Sequence, residues 1–321
     1  MKKLSLILAL GGLALATVLI GWFGVGGVLD AALSLGWRGF VVLILAQLGI
    51  FVLLGLAWRT LLAAGTPLIY IWGRMVRDAA GNLLPFSQMG GFVLGARAIT
   101  LHGVPARRAV ASTLVDVTVE FLAQLAFATF GLLVLIFRMP DSALVWPLAI
   151  GLIGAVLGSA VFIALQRGVG PIFRAVAARI SAGWLVSQSD RIGALEEELR
   201  DIYDRVLWLA LAASIHFVSW LCAGLSTWLA LRLLGVEIDA AGGMALEAIL
   251  QVGLNFAVLV PGYFGIQEAV LAGLGSLFGI SPDITLAISL IRRARDLMIG
   301  VPVLLVWQIF EVRRARERLL S

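Results

Sequence analysis

Apolar residues run in long blocks separated by short polar joints, and two of the blocks are broken in the same way. The unbroken blocks cover 4–25, 39–58, 110–137, 144–165, 206–231 and 285–310. Each is long enough, at about 1.5 Å per helical residue, to cross ~30 Å of hydrocarbon. They predict an all-α, polytopic integral membrane protein with about six full spans. Glycines at 154 and 158 stand at GxxxG spacing and predict close packing against a neighbouring helix.

The first broken block reads NLLPFSQMGGFVLGAR from Asn82 to Arg97, and the second NFAVLVPGYFGIQEAVLAGLG from Asn255 to Gly275. In both, an Asn and an apolar run are followed by Pro and glycines. Backbone groups released at such a break must be buried in protein or line a wet cavity, because lipid offers them no partner. The pattern predicts two re-entrant or broken-helix hairpins, with limbs at 68–84 and 86–101 and at 242–260 and 265–278. Their breaks fall at Pro85, Gly90 and Gly91, and at Pro261, Gly262 and Gly265. A new helix is expected near Ile266, with Glu268 in its first turn. Arg74, Arg77 and Asp78 in the first limb argue against a lipid-exposed span there.

Interrupted segments at matching places in two halves are the sequence mark of an inverted-repeat transporter. Span, hairpin, span occurs at 39–137 and again at 206–310. We therefore expect a single transmembrane domain over 1–321 with two inverted repeats whose hairpin tips meet. The polar stretch 167–205, with acidic residues at 196–198, reads as a cytoplasmic or interfacial helical linker with a wet acidic face.

Composition agrees with this class: 61% of the residues are hydrophobic, against roughly 45–50% in a soluble domain. A net charge of +5 does not indicate nucleic acid, since the arginines fall between apolar blocks. With both termini cytoplasmic, the cytoplasm takes Lys2, Lys3, the arginines flanking the first hairpin, six in the linker and four in the tail; Arg38, Arg138 and Arg232 remain outside. That asymmetry follows the positive-inside rule. The N-terminal block resembles a signal peptide, but its apolar run continues to Val25 and reads as an uncleaved span. Cys222 stands alone, His102 and His216 lie far apart, and neither a metal site nor a cofactor is expected.

The candidate chemistry is ionic. Asp116 and Glu120 share one helix face, extended by Thr113 and Gln124. Arg292, Arg293, Arg295 and Asp296 sit in the last span, with Ser289 a turn earlier. Either these two clusters neutralise each other as a structural network, or an anionic headgroup competes for the arginines, whose fork matches phosphate. Glu268 either caps its helix or meets a cationic headgroup or a proton. The candidate substrate-binding set is Arg292, Arg295, Asp296, Asp116, Glu120, Glu268, Gln267, Asn255, Asn82 and Arg97. For Asn82 and Asn255, satisfying broken backbone is the simpler role. Trp58, Trp72, Trp146 and Trp307 read as interface anchors and His216 as a helix-packing hydrogen bond. No nucleophile elbow, P-loop or HExxH is present, so no catalytic residue is named and a transporter is expected in place of an enzyme.

The Pro-Gly-x-x-Gly-x-Gln-Glu element (Pro261, Gly262, Gly265, Gln267, Glu268), paired with Asn82, Pro85 and Gly90, resembles the lysylphosphatidylglycerol synthase transmembrane-region family. Ala57 to Arg59 and the helix bearing Asp116 and Glu120 extend the resemblance over nearly the whole chain. The Pro85 to Gly91 and Arg292 to Asp296 motifs are similar to its hopanoid-associated, HpnL-like branch. The resemblance implies flippase-like lipid movement in the bacterial inner membrane, of a hopanoid or of an aminoacylated or anionic phospholipid. No synthase domain is recognised within the 321 residues. The first motif departs from the wider family, with Gly91 where an acidic residue often stands and Leu94 or Gly95 where an arginine often follows, the nearest arginine being Arg97. The partners expected are membrane lipids and, secondarily, lipid-biosynthesis enzymes, with no nucleic acid and an open oligomeric state. The rival functions are a membrane scaffold for lipid-modifying enzymes and, below it, an enzyme acting on a lipid head.

Overall fold

A computed structural model of the chain describes residues 30, 33–62, 64–84, 87–180, 183–257, 260, 263 and 265–320. The expected first span at 4–25 and three of the expected breaks, Pro85, Pro261 and Gly262, lie outside the described residues. Those described form ten helices and no strand. In order these are α1 (Gly36–Leu62), α2 (Pro67–Leu83), α3 (Ser87–Thr100), α4 (Ala106–Arg138), α5 (Val145–Ile180), α6 (Gly183–Tyr203), α7 (Val206–Leu233), α8 (Ala240–Asn255), α9 (Ile266–Leu277) and α10 (Pro282–Leu320).

Among the described residues four helical segments are long and apolar enough to cross a membrane: Gly36–Leu62, Ala106–Arg138, Val145–Gln166 and Val206–Leu233. Helix α10 has the length at 39 residues, but its charges at 292–296 interrupt the apolar run. The paired shorter helices α2, α3, α8 and α9 have 17, 14, 16 and 12 residues. At 1.5 Å per residue the longest rises only ~25 Å, short of a ~30 Å hydrocarbon layer.

Local chemistry sets the ends. Helix α2 starts with Pro67 at its first position, where the missing N–H costs nothing, and stops with Leu84 extended before Pro85. The Asp239 side chain caps α8 by accepting from the Gly242 N–H at 3.0 Å. Gly265 takes φ 75 at the start of α9, a backbone shape open to glycine. Helix α9 does begin at Ile266, with Glu268 in its first turn. By contrast, Gly90 and Gly91, expected at the first break, lie inside α3.

The role of Gly91 there is packing. A methyl group at Gly91 would strike the Arg77 carbonyl, one at Gly95 would meet the Arg77 side chain and the Gly73 carbonyl, and one at Gly73 would meet Ile99. Partner numbers fall along α2 as they rise along α3, so the two helices are antiparallel and touch backbone to backbone. Gly154 and Gly158 differ: neither has a neighbour within 4 Å, so the GxxxG expectation finds no packing partner among the described residues.

Two apolar cores flank the middle of the molecule. One joins Trp58, Tyr70, Ile99 and Val115 to Leu199, Ile202 and Tyr203 of α6. Trp58 is thus a core residue, donating to Ser112 Oγ at 3.1 Å, and not an interface anchor. Nor is the acidic run of α6 uniformly wet, for Glu196 is buried and Glu198 accepts from Arg108. The other core joins Leu135 of α4 and Leu231 of α7 to Leu246, Leu250, Leu271 and Ile288. Each hairpin also packs on the long helix of the other half, α2 against α10 and α8 against α4.

Candidate functional site

A cavity of about 570 Å³ has walls from α1, α2, α4, α7, α8 and α10 and from both hairpin tips. Apolar side chains such as Ile50, Leu54, Phe92 and Phe121 share its lining with charged groups drawn from both halves. Charges this deep in apolar helices persist when they are paired or wet.

In the first half the cations ride on α2 and the anions on α4. Arg74 and Arg77 are three apart on one face of α2 and reach Asp116 and Glu120, four apart on one face of α4. Arg74 grips Glu120 with both terminal nitrogens, at 2.5 and 2.7 Å. Arg77 bridges Asp116 and Glu120, at 2.7 Å to each. Asp78 takes the Arg74 Nε at 3.1 Å. Behind this cluster Asp116, wholly buried, also bonds His216 Nε2 at 3.0 Å.

In the second half the polarity is reversed. Glu247 of α8, wholly buried, accepts from Arg292 at 2.6 Å, Gln251 at 2.6 Å and Thr227 at 2.7 Å. Glu268 of α9 accepts from Arg293 at 2.8 Å and from Ser289 at 2.7 Å. Its carboxylate bonds α10 and does not cap its own helix. Gln267 donates to Ser289 at 2.8 Å, and Arg295 pairs with its neighbour Asp296 at 2.8 Å. Arg292 Nη1 is among the buried donors with no hydrogen-bond partner, as is Arg77 Nε in the first half.

Because α2 packs on α10 and α4 on α8, the two halves build one wall rich in arginine and an opposing wall rich in carboxylate. The arginine wall is tempered by Asp78 and Asp296. At the tips, Gln88 Nε2 donates to Asn82 Oδ1 at 3.4 Å, and Tyr263 lines the cavity with Gln88. Asn255 donates to Gln124 at 3.2 Å. Both asparagines thus contact polar side chains.

Of the candidate residues, Arg292, Arg295, Asp296, Glu120, Gln267, Asn255 and Asn82 line the cavity. Asp116 and Glu268 stand behind its walls and hold the arginines that face it. Arg97 is elsewhere: in the last turn of α3 it pairs with Glu311 of α10 at 2.7 Å. Of the two readings, mutual neutralisation of the α4 carboxylates by the α10 arginines does not occur: the α4 carboxylates pair with α2, Arg292 and Arg293 pair with α8 and α9, and Arg295 pairs with Asp296 of its own helix. Sequence reasoning left out Glu247, Gln251, Gln88 and Tyr263, and used Arg74, Arg77 and Asp78 only as evidence about topology. Glu247 carried a readable signal, a lone carboxylate within the apolar 242–260 block, the criterion that selected Glu268. Tyr263 carried none, because its positive φ of 54 is a property of the folded tip.

Among the described residues no group of three or more His, Cys, Asp or Glu side chains is placed to hold a metal ion. A family model described as "Lysylphosphatidylglycerol synthase TM region" matches residues 9–303. No curated protein and no solved structure matches the chain.

Proposed function

We propose, on the premise that the chain belongs to the lysylphosphatidylglycerol synthase transmembrane-region family, that this protein is a lipid flippase. Family membership makes it a membrane protein of lipid metabolism or transport; the movement of lipid is our reading. The observation that carries it is the two-walled ionic cavity. A volume of about 570 Å³ accommodates a phospholipid headgroup, within the 300–1,000 Å³ usual for ligand sites.

In this reading the headgroup enters the cavity and the acyl or polycyclic part stays in lipid. A phosphate binds at Arg292, whose Nη1 is unpartnered, and at Arg295, since guanidinium engages phosphate through two parallel bonds. An amine or hydroxyl on the same head meets Glu120 and Glu247 on the opposite wall. Hopanoids and aminoacylated or anionic phospholipids are the classes to try. The two halves, 39–137 and 206–310, act as inverted repeats rocking about the site, with the hairpins re-entrant and both termini in the cytoplasm of a bacterial inner membrane. What supports the repeat is the reciprocal packing of each hairpin on the other half's long helix.

The test is leaflet-resolved translocation of labelled lipids in proteoliposomes. The native chain should move one headgroup class, and Arg295→Gln should slow it at least ten-fold. No movement of any class by folded protein would sink the flippase reading and favour a scaffold for lipid-modifying enzymes.

A further inference from the structure

The two ionic clusters do not carry the same charge. In the second, three arginines (292, 293, 295) face three carboxylates (Glu247, Glu268, Asp296) and balance. In the first, two arginines (74, 77) face three carboxylates (Asp78, Asp116, Glu120), leaving one negative charge in an apolar bundle. An excess of one charge among paired groups in apolar helices is costly even where Asp78 and Glu120 face the cavity, so the cluster has reason to take up one positive charge. We infer that His216 is a proton-binding site that supplies this charge and couples lipid movement to protons.

The geometry specifies where the proton goes. Asp116 already accepts from Arg77 Nη1 at 2.7 Å through Oδ2. Its Oδ1 faces His216 Nε2 at 3.0 Å. A carboxylate is an acceptor, so neutral His216 carries its hydrogen on Nε2. That leaves Nδ1 as a bare lone pair, and in the structure Nδ1 is buried with no partner. When a hydronium ion delivers its proton there, one O–H bond breaks and one N–H bond forms, water is released, the ring gains one positive charge and the cluster becomes neutral. Imidazole is the side chain suited to this gain and loss near neutral pH.

The charged groups around His216 leave it a clear task. From α4 it meets Asp116 and Glu120, and from α2 it feels Arg77 and Arg74 through Asp116. Helix α1 has no titratable side chain between Arg38 and Arg59, α8 has Glu247 alone, and α10 brings Arg292, Arg293, Arg295 and Asp296. The end of α6 nearest α7 brings Tyr203, Asp204 and Arg205 at the far tip of the helix. Among the described residues, Asp116 is the carboxylate that bonds the ring.

The consequence lies in Arg77. It lines the cavity, has an unpartnered Nε, and is held back by Asp116 and Glu120. With His216 neutral, Asp116 needs the whole of Arg77. With His216 charged, Asp116 has a second cation and Arg77 can turn to an anionic headgroup. Proton binding and headgroup binding thereby favour one another, which is the requirement for coupling.

This inference rests on the flippase reading, and the experiment separates the two. Proteoliposomes holding an internal pH dye and labelled lipid are given a one-unit pH gradient, with a sodium gradient as a control. One proton per lipid predicts about a ten-fold shift in the leaflet ratio of the transported class, with dye-reported proton movement that His216→Gln removes. Lipid movement indifferent to pH, driven by sodium, or equally pH-driven in His216→Gln but lost in Asp78→Asn, overturns the proton site and leaves the flippase intact. If no lipid moves at all, the flippase fails and ¹⁵N NMR of a His102→Asn protein, in which His216 is the sole histidine, decides the site. A ring titrating within roughly pH 5–8 and displaced by Asp116→Asn supports it; a ring silent over that range overturns it.

Discussion

The halves 39–137 and 206–310 use the same order of elements to bury charge but with opposite sign. In the first, arginines ride on the hairpin helix α2 and carboxylates on the long helix α4. In the second, carboxylates ride on the hairpin helices α8 and α9 and arginines on α10. An ion pair inside apolar packing works with either polarity, provided both members are present and hydrogen-bonded. The reversal matters because of how the halves interlock: it sets arginines on the adjoining helices α2 and α10, and carboxylates on α4 and α8. A ligand between them meets a positive wall and a negative wall. The halves also differ in redundancy, since Glu120 shares its arginines with Asp78 and Asp116 whereas Glu247 is the carboxylate on which Arg292 closes.

That difference predicts unequal damage. Glu247→Gln leaves Arg292 buried without its carboxylate and should destabilise the fold by ~3–5 kcal/mol. Glu120→Gln should cost clearly less, because Arg74 keeps Asp78 and Arg77 keeps Asp116. Thermal unfolding in one detergent compares them directly. Equal losses would show that the two clusters are not unequally redundant.

The hairpins differ in packing as well. Gly91 lies against the Arg77 carbonyl, where there is no room for a side chain and backbone must move. Gly253 in α8 faces only Val270 methyls, with space to 3.1 Å. Gly91→Val should therefore destabilise by at least the ~1–3 kcal/mol of an overpacked core, and Gly253→Ala by less. Reversed ranking would break the contrast between a tight first hairpin and a looser second one.

The smallest effect lies at the edge of the second half. Arg138 and Asp239 form a bidentate, exposed pair, and this hydrogen bond, with that from the Gly242 N–H, pulls the Asp239 carboxyl down to about 2. A depressed carboxyl contributes stability that is full above its unfolded value near ~3.9 and is lost as pH falls through about 2. Solvent screening holds the contribution to roughly 1 kcal/mol or less. Asp239→Asn should flatten the low-pH limb of the unfolding curve between pH 4 and pH 2 by about that amount and leave pH 7 stability little changed beyond it.

Much of this was legible in the chain. Block length separated the long helices from the short paired ones, and of the expected breaks Gly265 is found at a helix start. Charges in apolar runs pointed to Glu120, Glu268 and Arg292. What the chain hid was pairing. Asp116 and Glu120 could have met either set of arginines, and the fold brings Arg74 and Arg77 of α2 within reach of them. Gly90 and Gly91 read as a break because glycine permits both turns and close packing; both lie inside α3, and for Gly91 the tertiary contact with Arg77 accounts for the glycine. Arg97 read as a site residue from its place after the first motif, but the length of α10 brings Glu311 to meet it instead.

The central claim is that the two walls together hold a lipid head. It is tested most directly by neutralising one pair across them, Glu247→Gln with Arg292→Gln, which removes both charges and strands neither. Leaflet-resolved translocation in proteoliposomes is then measured across anionic, zwitterionic and hopanoid lipids. The account predicts a folded protein whose transport of the native class falls at least ten-fold. Native rates from that folded double variant would contradict it.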